Sequence, residues 1–391
     1  MSVTSPPAPM DPETAVRERY SAASARVEPA LCCAVDYDPS LLRVIPKEVL
    51  ERDYGCGDPS RFVRPGDSVL DLGSGGGKIC FIASQLAGPE GRVIGVDANE
   101  EMLALARRAE REVSARLGYA NVRFGRARIQ DLALDLEALE AWLREHPVSD
   151  LDSLAALHAT EAALRCDAPL VADESVDLVV SNCVLNLVRE EDKRRLIREI
   201  FRVLRRGGRI AISDIVSDEP VPAHLRADPE LWSGCISGAF LETELLSELE
   251  GAGFHGIRIE SFAEKPFAVV EGIEFRAVTV TAQKGKQGPC FEANQAVLYR
   301  GPWRRVEDDD GHVYVRGERT AVCEKTYRLL TSAPYAGETI GIEPRVAVPA
   351  DARAPFDCAR TGPRDPRETK GAGYRETAQA GPGCGPDSGC C

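Results

Sequence analysis

Three cysteines sit where a thiol has room to react: Cys56 in YGCGDP (54–59), Cys183 in SNCVLNL (181–187) and Cys235 in LWSGCISGAF (231–240). Taken singly, each reads as a small buried hydrophobe, the common lot of a free cysteine. Three of them in glycine-, serine- or asparagine-rich settings argue for chemistry. Thiolates are soft ligands and select soft centres. Structural zinc would show paired C-x2-C knuckles, and none occurs: Cys32-Cys33 and Cys390-Cys391 are adjacent and the rest are isolated. Thiols gathered from distant loops suit three-coordinate capture of a soft ion or metalloid. All five histidines (His146, His158, His224, His255 and His312) lie outside these motifs.

A second constellation is VLDLGSGGGKICF (69–81), with glycines between an apolar strand pattern and a helical one. Such glycines let backbone approach a ligand closely, and the helix start offers free amides to it. A dinucleotide fingerprint opening at Gly73 requires a small residue at 78, where Lys78 stands. The observed G-x-G-x-G, with Asp97 closing the next strand in VIGVDA, fits a ligand with one ribose and no pyrophosphate. Asp97 would accept from both ribose hydroxyls. This is the pattern that class I S-adenosylmethionine (SAM) methyltransferases show. Candidate cofactor residues are Asp71, Gly73, Ser74, Gly75 and Gly77 on the loop, then Asp97, Ala98 and Met102, with Asn182 beside Cys183. In RIQDL (128–132), Ile129 is expected on the adenine ring and Gln130 near its amine.

The elements that must hold these groups alternate. SVLDLG, RVIGVDA, NVRFGRA, SVDLVVSN and GGRIAISDI read as strands, separated by helical patterns such as EEMLALARRAEREVSARL. Alternation of this kind gives an α/β fold with a doubly wound, mostly parallel sheet. Ligands on open sheets of this type bind beyond the carboxyl ends of the strands, which puts Cys183 on the cofactor side and lets Cys235 return over the same edge. Cys56 precedes the first strand and is expected on a lid. The stretch 131–174 carries two helical patterns and is long for a strand-to-strand connection, so it reads as an insertion.

The expected organisation is an N-terminal segment (1–27) with a helix starting at Asp11-Pro12, a main domain (28–287), a small β-rich unit (288–349) and a disordered tail (350–391). The tail reading follows from its Pro, Gly, Arg and Thr content. The acid run Asp308–Asp310 reads as a polar turn. Cys166, Cys290, Cys323 and Cys358 read as packing or surface thiols, and Cys80 as a packing residue. A formal charge of −14 argues against phosphate-backbone partners. No apolar run approaches the roughly 18 residues of a membrane span. Thirteen cysteines without an export signal imply a reducing, cytoplasmic setting.

The combination of YGCG, DLGSGxG, SNCVxNL and SGCxSGA resembles the arsenite SAM methyltransferases, over about residues 28 to 345. The resemblance implies a Rossmann-like class I methyltransferase fold with S-adenosylmethionine as cofactor. It implies that Cys56, Cys183 and Cys235 bind trivalent arsenic as thiolates, and that Cys32 or Cys33 takes part in redox exchange. Glutathione or thioredoxin would act as reductant, in arsenic detoxification by a monomeric protein. One departure is Ile79, where the family commonly carries an acid. The rival reading is a class I methyltransferase acting on a small organic molecule or another soft element; with an organic substrate, activity would survive loss of Cys183 or Cys235.

Overall fold

The computed structural model describes residues 12–25, 28, 35–52 and 54–377. Cys32, Cys33, Cys384, Cys390 and Cys391 lie outside them. The chain divides at Gly285/Lys286 into two compact units.

The first unit opens with helices α1 (Pro12–Ala25), α2 (Pro39–Leu42) and α3 (Lys47–Glu51). The alternating series follows as β1 (Ser68–Leu72), α4 (Lys78–Ala87), β2 (Arg92–Asp97), α5 (Glu100–Leu117) and β3 (Val122–Arg126). Two helices, α6 (Leu136–Glu145) and α7 (Leu151–Asp167), then precede β4 (Val176–Asn182), α8 (Glu190–Val203) and β5 (Leu204–Ser217). The unit closes with α9 (Ala223–Arg226), α10 (Pro229–Ser233), β6 (Phe240–Leu241), α11 (Glu242–Gly251), β7 (Phe254–Phe262), β8 (Ala268–Val270) and β9 (Ile273–Lys284).

The strands form one sheet in the order β3-β2-β1-β4-β5-β9-β7, with β6 beside β5 and β8 beside β9. β1 to β5 pair in parallel, and β9 and β7 complete the edge antiparallel. All seven residues of β4 are buried, the polar Asp177, Ser181 and Asn182 included, as in a mid-sheet strand with both faces covered. One face packs under α8 and α11 through residues such as Ile197, Ile200 and Leu249, and the other under α4 and α5 through Phe81, Leu105 and Val113. The order reverses between β1 and β4, so a crevice opens at their carboxyl ends.

The two expected helices of 131–174 are present, but α7 has no buried residue. Its alanine-rich sequence and the reciprocal Asp150–Ser153 capping box sustain it in place of an apolar face. It is anchored at Asp131, which pairs with Arg165 of α7 and with Arg195 of α8.

In the second unit, β10 (Ala296–Tyr299), β11 (Arg305–Glu307), β12 (Val313–Val315), β13 (Arg319–Ala321), α12 (Glu324–Leu330), β14 (Thr339–Ile342) and α13 (Pro366–Lys370) surround a core of Val297, Tyr299, Tyr314, Val322, Tyr327 and Leu330. The acid run forms the turn between β11 and β12. The expected disorder from 350 onward does not hold for residues 350–377, which fold onto this unit. The Arg364 guanidinium is buried, bonding both Glu292 oxygens and Glu368. The backbone of 362 and 364 pairs with residues 321 and 319. Long-range pairing of a charged residue outweighs a composition that carries no apolar pattern. Among the described residues, no helix is long and apolar enough to cross a membrane.

Candidate active site

At the sheet reversal lies a cavity of about 430 Å³. Its floor is the glycine loop, which the amides of Gly73 and Ser74 tie to the Val96 carbonyl at 2.8 and 3.0 Å. Gly73 has φ +64°, and a Cβ there would lie 2.5 Å from the Val184 side chain, so both conformation and space demand glycine. Asp97 accepts from the Gly75 amide at 2.9 Å through one oxygen and from the Asn99 amide at 2.8 Å through the other. Burial raises its carboxyl above the usual range, against the pull of those amides. Ser74 Oγ is buried on the cavity wall with no hydrogen-bond partner among the described residues. An orphaned hydroxyl in that position is expected where a polar ligand completes the site.

Asp71, Gly73, Ser74, Gly75, Asp97, Ala98, Met102, Ile129, Gln130, Asn182 and Cys183 all face this cavity. Two of the expected cofactor residues have other duties. Gly77 does not line the cavity. It starts α4 at φ +89°, and a Cβ there would meet Phe124 at 2.8 Å, so its glycine serves strand–helix packing. Asn182 borders the cavity, but its amide group is spent on the chain segment before β1. Its Oδ1 accepts from the amides of Cys56 and Gly57 at 2.9 and 3.1 Å, and its Nδ2 donates to the Gly57 carbonyl at 2.8 Å.

That clamp corrects the expectation that Cys56 rides on a lid. A Cβ on Gly55 would sit 2.2 Å from Asn182, and one on Gly57 would sit 2.5 Å from Ser213 Oγ. The two glycines therefore let the cysteine loop lie flat on the ends of β4 and β5. Cys56 and Cys183 are joined as a disulfide with Cα atoms 6.0 Å apart, where thiols were expected. The Cys235 thiol donates to the Cys183 carbonyl at 3.1 Å. Cys56, Cys183 and Cys235 thus meet in one apolar cluster with Ile215, Ile236 and Phe275. Both Cys183 (φ +58°) and Cys235 (φ +62°) hold left-handed backbone, a conformation rare for side-chain-bearing residues and concentrated at functional sites.

Buried polar groups fix this strained edge. Asp214, directly beneath it, accepts from the Leu185 amide at 2.9 Å and from its neighbour Ile215 at 2.8 Å. Burial pushes its carboxyl up to about 6, the amide bonds opposing. Asn186 Nδ2 donates to the carbonyls of Ile215 and Cys235, coupling the two cysteine turns. Cys80, by contrast, is fully buried under the loop and donates to Asp71 at 3.2 Å.

Sequence reasoning missed the cavity wall supplied by α1. Thr14, Arg17 and Tyr20 border the cavity, and the Tyr20 hydroxyl lies 3.8 Å from Cys235 Sγ. Tyr54 packs edge-on against Tyr20 and donates to the Ala23 carbonyl at 3.1 Å. The helix was legible; its docking was not, because nothing local in α1 specifies which surface it covers.

The arrangement joins a cavity floored by the glycine loop and Asp97 to a cluster of three cysteine sulfurs beside the end of β4, which suits group transfer to a sulfur-held soft nucleophile. A family profile described as "Methyltransferase domain" matches residues 64–253, and one described as "Domain of unknown function (DUF8838)" matches 286–374. The chain is similar to the arsenite methyltransferase of Aquipseudomonas alcaligenes, at 30% identity over 331 residues, covering 80% of this chain and 85% of that protein. It is 39% identical to that of Halobacterium salinarum over 207 residues, spanning 52% of this chain but only 42% of that protein's length. The human arsenite methyltransferase is 28% identical over 309 residues, covering 75% and 72%. Among solved structures it resembles CrArsM, an arsenic (III) S-adenosylmethionine methyltransferase from Chlamydomonas reinhardtii, with TM-score 0.53 and 26% identity, covering 82% of this chain and 100% of that one.

Proposed function

Since the chain belongs to the arsenite methyltransferases, and so is a methyltransferase with S-adenosylmethionine as cofactor, we propose that it methylates trivalent arsenic held by Cys56, Cys183 and Cys235 as thiolates. The observation that carries this is the meeting of three sequence-distant cysteines in one apolar cluster, with Cys183 on the cavity wall and Cys183 and Cys235 on left-handed backbone.

S-adenosylmethionine supplies, when bound, an electrophilic methyl on a positively charged sulfur. Asp97 would hold its ribose hydroxyls, Ser74 Oγ a polar group and Ile129 and Gln130 its base. Thiols condense with arsenous acid as each thiol proton leaves with a hydroxyl as water, so an As–S bond replaces each As–O bond. Arsenic so held keeps its lone pair as the nucleophile and carries no proton there, so no general base is needed. The apolar wall of Ile215, Ile236 and Phe275 keeps water from the thiolates. Methylation formally takes arsenic from three to five, and two electrons return from a pair of thiols that become a disulfide. The Cys56–Cys183 bond is a pair of that kind, and two thiols of a reductant reopen it. We assign that role to glutathione or thioredoxin, with Cys32 or Cys33 as the relay. Arsenic detoxification by a cytoplasmic monomer completes the proposal.

Reduced protein incubated with arsenite, glutathione and methyl-labelled cofactor is expected to yield labelled methylarsenicals. Cys183→Ser and Cys235→Ser are expected to lower that rate by at least about a hundredfold while still binding the cofactor. Cofactor binding without any arsenical product from the unsubstituted protein would redirect the reading to an organic substrate.

A further inference from the structure

We propose that Cys290, Cys323 and Cys358 form a trithiolate binding site for trivalent arsenic in the second unit. Their sulfurs all lie within 4.8 Å of one another, although sequence reasoning saw only unrelated thiols. The site stands on its own residues and needs no methyl transfer by the first unit.

Backbone pairing assembles it. The Phe356 amide donates to the Cys290 carbonyl at 2.9 Å and the Glu292 amide to the Ala354 carbonyl at 2.8 Å, so 354–356 runs beside 290–292 and delivers Cys358. From another direction, the Glu324 amide donates to the Phe291 carbonyl at 2.9 Å and brings Cys323 to the same point. Cys323 is wholly buried, and its sulfur accepts from the Thr326 amide at 3.3 Å. Cys290 and Cys358 are half-buried, leaving an entry on their side. Behind Cys358 stands a second layer of polar contacts. His312 bonds its backbone while holding Asp308 Oδ2 at 2.9 Å, and the Tyr314 hydroxyl donates to that same oxygen at 2.8 Å. Such outer contacts orient the groups that bind a soft ion.

The donor set selects the ligand. Among the described residues, no histidine, carboxylate or fourth cysteine joins the three sulfurs. Structural zinc closes its shell with four ligands. Trivalent arsenic is complete with three sulfurs and its lone pair. One arsenous acid and three thiols give three As–S bonds and three waters, with arsenic's oxidation state unchanged and no reductant consumed.

The test uses the full chain carrying Cys56→Ser, Cys183→Ser and Cys235→Ser, reduced and freed of reductant without oxygen, then titrated with sodium arsenite. Adding Cys290→Ser or Cys358→Ser is expected to remove about one bound arsenic per chain, and adding Cys166→Ser to remove none. In the unsubstituted, reduced protein, arsenite is expected to shield Cys290, Cys323 and Cys358 from alkylation, read by mass spectrometry. That arm requires no variant to fold. Unchanged arsenic content together with unshielded thiols would overturn the proposal. Zinc retained at the three sulfurs against excess arsenite would overturn the choice of metalloid. Arsenic uptake here without methyl transfer by the wild type would fault the catalytic reading alone, and the converse would fault only this site.

Discussion

At Cys183 and Cys235 the backbone turns left-handed, which costs a residue with a Cβ on the order of 1 kcal/mol. Cys235→Gly should therefore melt higher than Cys235→Ala, by about 1 kcal/mol of stability, although both lose the thiol. Equal melting would deny the strain. Asn182 holds two amides of the Cys56 loop through one oxygen, so Asn182→Ala orphans both. Both amides are part-buried, so at about 1 kcal/mol each, the low end of the cost of an unsatisfied group, denaturant unfolding should register a loss of about 2 kcal/mol. Asp214 gives a pH signature. Its carboxyl sits at about 6 in the fold and near 4 in an unfolded chain, so the native state binds the extra proton between those values. Stability from this group is full below about pH 4 and is lost as pH rises through about 6. Asp214→Asn lacks that dependence. Its stability relative to wild type should accordingly be greater at pH 7 than at pH 4, and a constant difference would contradict the assignment.

Elements translate these residues into a site, and the inserted helix α7 has the least obvious part. It buries nothing, yet Arg165 reaches Asp131, the residue after Gln130. Arg165→Ala should leave global melting nearly unchanged, raise amide exchange at 128–134 and weaken cofactor binding several-fold. Unaltered exchange there would make α7 an ornament of the surface. The glycine loop and the strand ends were legible beforehand because glycine spacing and apolar runs are local signals read against a repeating βα frame. Gly77 shows the limit of such local signals. Its spacing matches a ligand loop, while its contact with Phe124 is set by tertiary packing. Nothing within SNCV announces that Asn182, on the cavity wall, would also grip Cys56 and Gly57 from another segment.

For the molecule as a whole, the change of texture near 288 was visible in composition, and the structure divides at 285/286. The fold of 350–377 was not visible, since one buried arginine bonded to Glu292 and a few backbone pairs do what apolar periodicity does elsewhere. The same long-range pairing hid the cluster of Cys290, Cys323 and Cys358. The Cys56–Cys183 bond carries a consequence of its own under the proposed chemistry. Each of those sulfurs can join its neighbour or a metalloid, never both together. Oxidant and cargo then compete for the same two atoms, and the enzyme behaves as a logical AND gate that opens only when reducing power and metalloid arrive together. Arsenite added to reduced protein should slow the re-formation of that bond in air, timed by thiol counting, whereas an oxidation rate indifferent to arsenite would mean that the two sulfurs are not where the cargo sits.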